Sequence, residues 1–139
     1  MEILSYCGLS ATKPAAFLME QRHYLSDSAT PVLADPERYR RLVGRLLYLT
    51  ITRPELCYSV HTLAQFMHEP HAHHWDAAIW VLRYLKHSPG QGILLRTPES
   101  LQLVAFCDSD WASCPSTHRL TTGYFVMLRG CPISWKTKK

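Results

Sequence analysis

The stretch Leu101–Leu128, LQLVAFCDSDWASCPSTHRLTTGYFVML, decides how the C-terminal part of the chain folds. Its first segment, Leu101–Cys107, is a short apolar run rich in residues that favour β-structure, and it predicts a strand. A second such run, Thr121–Leu128, predicts the next strand. After a turn at Arg129–Gly130, Cys131–Trp135 predicts a third, so the pattern indicates a three-stranded antiparallel sheet.

Two carboxylates, Asp108 and Asp110, directly follow the first apolar run. Residues two apart on a strand face the same side, so both acids point one way if the strand continues through Asp110. Carboxylate oxygens on a rigid element are the ligands that Mg²⁺ prefers, so this pattern is typical of a divalent-metal site. The alternative is that the two acids start a turn, as Asp often does.

Upstream, residues 35–90 carry the apolar period of amphipathic helices. An acid followed by Pro and Glu, Asp35–Glu37, predicts the start of a helix that continues to about Leu49. Pro54 predicts the start of a second helix and Pro70 that of a third, which ends near His87. Three helices with short connections are expected to pack as antiparallel neighbours.

The segments that flank the helices have a weaker pattern. Met1–Cys7 is typical of the last turns of a helix, ended by Gly8 in the left-handed conformation. Residues 9–34 predict an extended connector. Local packing in the connector is expected from Phe17, Leu18 and Leu25. A short strand is predicted at Gly92–Leu95. The fold class is therefore α+β, with about three helices followed by an incomplete sheet that no helix covers.

Composition and charge narrow the class of protein. The 139 residues are 47% hydrophobic and 19% charged, and the formal net charge of +4 favours an anionic partner. Five cysteines, an odd number without a C-x-x-C pair, indicate reduced thiols. With no signal peptide or long apolar segment in view, the interpretation is an intracellular protein with no membrane partner.

Basic residues recur at helical spacing in the first predicted helix. This basic face, with two tyrosines beside it, is formed by Arg38, Arg40, Arg41, Arg45, Tyr39 and Tyr48. A second basic cluster is formed by Lys136, Lys138 and Lys139. Cations beside aromatic rings suit phosphate contact and base stacking, although a solvated helix face has the same pattern.

Four histidines, His68, His71, His73 and His74, are dense enough to raise the question of zinc. No cysteine lies nearby, and His73 and His74 on a helix point about 100° apart. Zinc is therefore not favoured.

Several blocks of sequence occur in an order and spacing that can be compared with known families. They are YRRLVGRLLYLT (39–50), TRPE (52–55), LAQFM (63–67), HWDAA (74–78), LRYLK (82–86), PGQG (89–92), CDSDWASCP (107–115), TTGY (121–124) and ISWKTKK (133–139). Together they resemble the Pol polyprotein of copia-type LTR retrotransposons, with the closest likeness to plant elements. The resemblance covers essentially the whole chain.

The resemblance implies a position between two enzymes of that polyprotein. Residues 1–34 would be the end of a polymerase helix and a connector, and residues 35–90 the helical thumb or connection of the reverse transcriptase. Residues 91–139 would be the first strands of a truncated ribonuclease H-like domain. Asp108 then matches the first metal-binding carboxylate of ribonuclease H, whereas Asp110 falls where other branches have a small hydroxyl residue.

Two departures from the family bear on activity. The polymerase tetrapeptide Tyr-x-Asp-Asp is absent, and the family's further acidic ligands would lie beyond Lys139. Ribonuclease H uses two Mg²⁺ ions held by several carboxylates, so the expectation is a Pol fragment that binds no Mg²⁺ and has no catalysis of its own. Two alternatives stay open. One is a module whose basic face binds an RNA–DNA hybrid or other nucleic acid, and the other is a hybrid nuclease that works only with the remaining polyprotein segments.

Overall fold

The structure is a computed structural model, and it contains helices and an antiparallel sheet, which confirms the α+β class. The residues that it describes are Ile3, Cys7, Gly8, 11–18, Leu25, 30–95, Thr97, 102–110 and 121–138. The chain forms two compact units, residues 1–91 and 92–139, and each is described by itself. Among the described helices, none is long and apolar enough to cross a membrane.

The first described helix, α1, spans Pro36–Leu49, as predicted. The Asp35 carboxylate caps its N-terminus by accepting a hydrogen bond from the Arg38 backbone N–H at 3.0 Å, and Pro36 occupies the first turn, where no backbone donor is needed. The buried face of α1 is formed by Tyr39, Leu42, Val43 and Leu46. The tyrosine hydroxyl donates to the Leu63 carbonyl at 2.8 Å, which joins α1 to the next helix.

The second predicted helix is shorter than expected and begins differently. A 3₁₀ turn at Pro54–Leu56 leads into α2, Cys57–Ala64, whereas the sequence predicts a helix that is continuous from Pro54 and carries Met67 on its apolar face. The third helix, α3, spans Ala72–His87, and Pro70 does not open it. The carbonyl of Pro70 instead accepts from the Leu33 N–H at 2.8 Å, beside an isolated antiparallel bridge.

A single apolar core holds the first unit together. Its fully buried aliphatic side chains come from the 3₁₀ turn and the three described helices, and burying each Leu or Val is worth roughly 1.5–3 kcal/mol. They are Leu42, Val43, Leu46, Leu56, Val60, Leu63, Ala78, Val81 and Leu82. The helices meet through the faces that the sequence period indicates.

Arg53 is a buried cation that ties the turn after α1 to the end of α3. Its Nε donates to the Glu55 carboxylate, and its two terminal nitrogens donate to the carbonyl and to the hydroxyl of Ser88, both at 3.0 Å. The Ser88 carbonyl lies just beyond the last residue of α3, where backbone acceptors lack helical partners. The guanidinium therefore satisfies a helix end and an acid together.

An N-terminal strap, residues 11–18, lies along α3. The backbone N–H of Ala15 donates to the Arg83 carbonyl at 3.1 Å, and Lys86 Nζ donates to the Thr12 carbonyl at 2.8 Å. Leu25 and Leu18 pack on the core as expected, but Phe17 does not, since its side chain is 79% exposed. Upstream of the strap, Gly8 has a φ of +68°, the left-handed conformation predicted for it, and the rest of the predicted helix at Met1–Cys7 lies outside the described residues apart from Ile3 and Cys7.

The second unit is a three-stranded antiparallel sheet in the order β1-β2-β3. Its strands are β1, Leu103–Asp110, β2, Thr121–Leu128, and β3, Cys131–Lys138. Arg129 and Gly130 connect β2 to β3 with φ angles of +57° and +72°, as a two-residue turn of mirror-image type requires. The turn and β2 match the prediction, whereas β1 and β3 extend further along the chain.

No strand forms at Gly92–Leu95, so that prediction is wrong. An apolar run becomes a strand only when a neighbour pairs with its backbone, and none of the described strands pairs with this one.

In the sheet, Phe106, Phe125 and Trp135 occupy paired positions across the three strands. The Phe106 side chain is 57% exposed, so this apolar face is left incomplete, as expected.

Candidate nucleic-acid interface

A surface groove runs along the outer face of α1. Its α1 wall carries residues that recur at intervals of three and four, so they form one continuous helix face. The lining residues are Ile3, Arg41, Gly44, Arg45, Tyr48 and Leu49. The structure thus places two of the predicted arginines, Arg41 and Arg45, one turn apart in the same groove.

The Tyr48 ring lies in this groove and is 78% exposed, so one turn beyond Arg45 an aromatic surface faces outward. Next to the row formed by the two arginines, Gly44 contributes no side chain, and a Cβ built on it would have no heavy atom within 4 Å. A flat stretch of helix backbone is therefore flanked by two guanidinium groups and one ring. This arrangement can accept a phosphate chain that approaches the helix closely.

The electrostatics of this side of α1 are visible at Cys7. Burial raises the pKa of the Cys7 thiol, and the positive charges of Arg38 and Arg45 act in the opposite direction. The field of these arginines therefore reaches the N-terminal segment that also contributes Ile3 to the groove. A positive field of this kind attracts polyanions.

Arg38, the third predicted arginine, is not among the groove-lining residues. Its guanidinium lies 4.7 Å from the centre of the Trp75 ring of α3, a cation–π contact. The cation remains on the surface, but part of its role is to join α1 to α3. It can contribute to the field without lining the groove.

Two residues named with the predicted basic face, Tyr39 and Arg40, bind other parts of the first unit. Tyr39 is fully buried, and burial raises the pKa of its hydroxyl, so the ring cannot stack on a ligand. Arg40 donates to the carbonyls of Met67 and His68 at 2.8 and 3.1 Å and pairs with Glu37. It therefore fixes the segment after α2.

The predicted lysine cluster lies in the second unit. Lys136 is exposed in β3 and pairs with Tyr124, which in turn pairs with Cys107. Because successive residues of a strand face opposite sides, Lys136 and Asp108 lie on opposite faces of the sheet. The side chain of Lys138 and the whole of Lys139 lie outside the described residues.

The two predicted metal ligands lie in the final part of β1. The strand continues through Asp110, so the condition for a shared face is met, although the Asp110 side chain lies outside the described residues. Asp108 is exposed and pairs with Gly123, which pairs with Thr137. Gly123 contributes no side chain beside Asp108, and a Cβ built on it would lie 3.9 Å from the Lys136 carbonyl oxygen.

A two-ion Mg²⁺ site needs several carboxylates from different elements. Within the described residues, no group of three or more His, Cys, Asp or Glu is placed to hold a metal ion. The face that carries Asp108 also carries the apolar rings of Phe106, Phe125 and Trp135. The described residues therefore do not fit a ribonuclease H metal site by themselves.

The histidines at the start of α3 bind the connector. The His71 N–H donates to Nδ1 of His74, whose Nε2 donates to the Leu25 carbonyl, both at 2.8 Å. His71 Nδ1 bonds the Thr30 carbonyl, and His73 Nδ1 bonds the Thr30 hydroxyl. These nitrogens are committed to protein partners. Burial is the main cause that lowers the pKa of His74, since the charged form would be desolvated.

Sequence reasoning missed the roles of two residues. Gly44 lines the groove beside its arginines without adding a side chain, and a glycine inside a strong helical pattern is the signal that could have found it. Arg53 lies in the TRPE block, but nothing in a helical period marks a loop arginine as buried. Its role, the hydrogen bonds to Ser88 after α3, is a tertiary contact that no local pattern in the sequence contains.

Comparison of the sequence with known proteins identifies relatives of this chain. The chain is 41% identical to the retrovirus-related Pol polyprotein from transposon RE2 of Arabidopsis thaliana, and 40% identical to that from transposon RE1, each over 139 residues. It spans about a tenth of the length of these two relatives. No protein-family model and no solved structure matches the chain.

The chain therefore belongs to the Pol polyproteins of copia-type retrotransposons and corresponds to a segment of such a polyprotein, as the resemblance indicated. It is also 40% identical to the uncharacterized mitochondrial protein AtMg00810 of Arabidopsis thaliana, a match that covers 99% of this chain and 57% of that protein. The plant-like character of the sequence is thus confirmed.

Proposed function

We propose that this chain is a nucleic-acid-binding segment of a retrotransposon Pol polyprotein, without catalysis of its own. The observation that carries the proposal is the α1 groove, where Arg41, Arg45 and the exposed Tyr48 ring surround bare backbone at Gly44. Guanidinium groups bind phosphate oxygens with two donors each, and an aromatic ring adds a surface for sugars or bases. The ligand class is an RNA–DNA hybrid or another nucleic acid.

The spacing of the groove residues supports contact with a chain of phosphates. Arg41 and Arg45 are four residues apart, so they are separated by about 6 Å along the helix axis, close to the distance between successive phosphates in a strand. Contacts of this kind carry little sequence information. We therefore expect affinity for many sequences rather than for one.

The test is the affinity of the whole chain for a labelled hybrid, measured by fluorescence anisotropy. Replacing Arg41 and Arg45 together by Ala should weaken binding about tenfold for every sequence tried, a loss of about 1.4 kcal/mol. Replacing both by Lys keeps the charge but loses the two-donor geometry, so the affinity should fall between those of the parent chain and the Ala variant. Equal affinity of the Ala variant and the parent chain would contradict the proposal.

A matched aromatic control separates specific contact from general surface change. Tyr48 and Tyr58 are both exposed tyrosines of the first unit, but only Tyr48 lines the groove. Tyr48→Ala should weaken hybrid binding, whereas Tyr58→Ala should not. If both variants bind alike, Tyr48 has no contact with the ligand.

A second candidate function is a hybrid nuclease that needs carboxylates from another segment of the polyprotein. The observation in its favour is Asp108, which is exposed in β1 and paired with Gly123, a residue without a side chain. In this hypothesis Asp108 would hold Mg²⁺, whose role in the parent family is to stabilise the attacking and leaving oxygens. The chain alone should not cleave. Mg²⁺-dependent cleavage should appear only when that segment is added, and Asp108→Asn should abolish it.

A further inference from the structure

The N-terminal strap is held on α3 through its own backbone. Nε1 of Trp80 donates to the Phe17 carbonyl at 3.0 Å, and Nε of Arg83 donates to the Lys13 carbonyl at 2.8 Å. These contacts fix the path of the strap without using the side chains of Phe17 or Lys13. Both side chains are thus presented at the surface from an anchored backbone.

The strap buries some side chains and exposes others. Ala15 is buried, and Leu18 packs against the core. Phe17 lies between them and is the most exposed large apolar side chain in the described part of the molecule, at 79%. Leaving a phenylalanine in water forgoes burial worth roughly 1.5–3 kcal/mol, so the fold gains nothing from an aromatic ring at this position.

A second aromatic ring and several charges lie next to this exposed phenylalanine. Trp80 is 37% exposed, and the Arg83 guanidinium lies 4.6 Å from the centre of its ring. Lys13 is exposed on the strap, and Asp76, one helical turn before Trp80, brings one opposing carboxylate. Among the described residues, two rings and two cations against one acid make this patch aromatic and net positive.

Aromatic rings that carry a neighbouring cation bind unpaired bases well, because the base stacks on the ring and the phosphate meets the cation. A duplex offers no free base face to such a ring, so the chemistry selects single strands. We propose that Phe17, Trp80, Arg83 and Lys13 form a second contact site, which binds the unpaired nucleotides of single-stranded RNA or DNA. It rests on the proposed nucleic-acid function but uses no residue of the α1 groove.

The test compares a single strand with a duplex on the intact chain. The probe is a fluorescein-labelled oligo(dT) of about 20 nucleotides, and the reference is the hybrid duplex. One base stack is worth roughly 1–3 kcal/mol, so Phe17→Ala should weaken oligo(dT) binding at least about fivefold and leave hybrid binding unchanged. Tyr58→Ala, which removes another exposed ring of the same unit, should change neither.

The two proposals fail in different ways. Loss of hybrid binding in the Arg41 and Arg45 variant, with oligo(dT) binding equal in Phe17→Ala and Tyr58→Ala, would overturn the second site alone. If oligo(dT) binding depends on Phe17 while the arginine variant binds hybrid normally, the groove proposal fails and the second site stands. A chain that binds neither probe would overturn both.

Photocrosslinking locates the contact directly. Oligonucleotides with 5-iodouracil should crosslink to peptides that contain Phe17 or Trp80, and the yield should fall in Phe17→Ala. Lys13→Gln should reduce the salt dependence of oligo(dT) binding by about one phosphate contact, since its backbone carbonyl still anchors the strap. Crosslinks confined to other peptides would overturn the site.

Discussion

Arg40 and Arg41 are neighbours in sequence with opposite roles, because successive residues of a helix point about 100° apart. Arg41 lines the groove, whereas Arg40 reaches back to the carbonyls of Met67 and His68. At the scale of single residues, the interface consists of the side chains that stay exposed in the groove. A side chain that binds loop carbonyls, as Arg40 does, is not available to a ligand. The two tyrosines of α1 differ in the same way, since Tyr39 is buried and Tyr48 is exposed.

Gly44 gives a prediction about stability. It lies inside α1, and a Cβ there would meet no heavy atom within 4 Å. Gly44→Ala should therefore stabilise the chain by roughly 0.5–1 kcal/mol, because glycine loses more backbone entropy in a helix. Chemical denaturation measures the change. A destabilised variant would show that the helix face at Gly44 is not open.

The stability of the first unit should depend on pH through His74. The side chain is only 3% exposed, and its folded pKa is lowered from 6.5, so the unfolded chain binds the proton more tightly. Stability is then fully present above about pH 6.5 and falls as the pH decreases below that value. A proton on Nδ1 would also replace the acceptor of the His71 N–H.

Melting temperatures measured between pH 8 and pH 5 test this dependence. The titratable groups that face His74 are His71, which precedes α3, and His73 in α3, with the neutral Tyr39 ring of α1 at 6.5 Å. In His74→Gln the loss of stability towards acid should be reduced, although the variant starts less stable. His87→Gln, at an exposed site, is the control. If the melting temperature of His74→Gln decreases towards acid as much as that of the parent chain, other groups cause the pH dependence.

At the scale of elements, the hydrophobic period of the sequence does not determine where a helix begins or whether an apolar run becomes a strand. Capping residues, turns and strand pairing determine both. The start of α1 and the Arg129–Gly130 turn could be predicted, because a cap acid with Pro and a two-residue turn are local signals. The strand predicted at Gly92–Leu95 failed because pairing is not local. Pro70 resembles a helix start but is bound to Leu33, a contact that no local pattern contains.

The element-level prediction concerns the Arg53 junction between the turn after α1 and the end of α3. Arg53→Ala would remove three donors and leave the Glu55 carboxylate and the Ser88 carbonyl without this partner. We expect a loss of about 3 kcal/mol or more in the free energy of unfolding. Arg53→Lys should recover only part of it, since a single ammonium cannot reproduce the fork. A loss below about 1 kcal/mol would show that the junction does not hold the helices.

At the scale of the whole molecule, a helical unit and a sheet unit are joined near Gln91 and Gly92. Sequence predicted the helical elements and placed Arg41 and Arg45 on one helix face. It could not find the groove, because Ile3 reaches that groove from a segment more than thirty residues away. Which residues share a sheet face with Asp108 depends on the register of the strands. The sequence placed Asp108 and Asp110 on one face only if β1 continues through Asp110, which it does.

The most direct test of the central claim is the salt dependence of hybrid binding by the intact chain. Each phosphate contact releases counterions, so the logarithm of the binding constant should fall linearly with the logarithm of the salt concentration. The account predicts a steep slope for the parent chain and a slope smaller by roughly 1.5–2 when Arg41 and Arg45 are both Ala. Equal slopes for the two proteins would mean that the α1 groove does not contact phosphates, and the proposed function would be wrong.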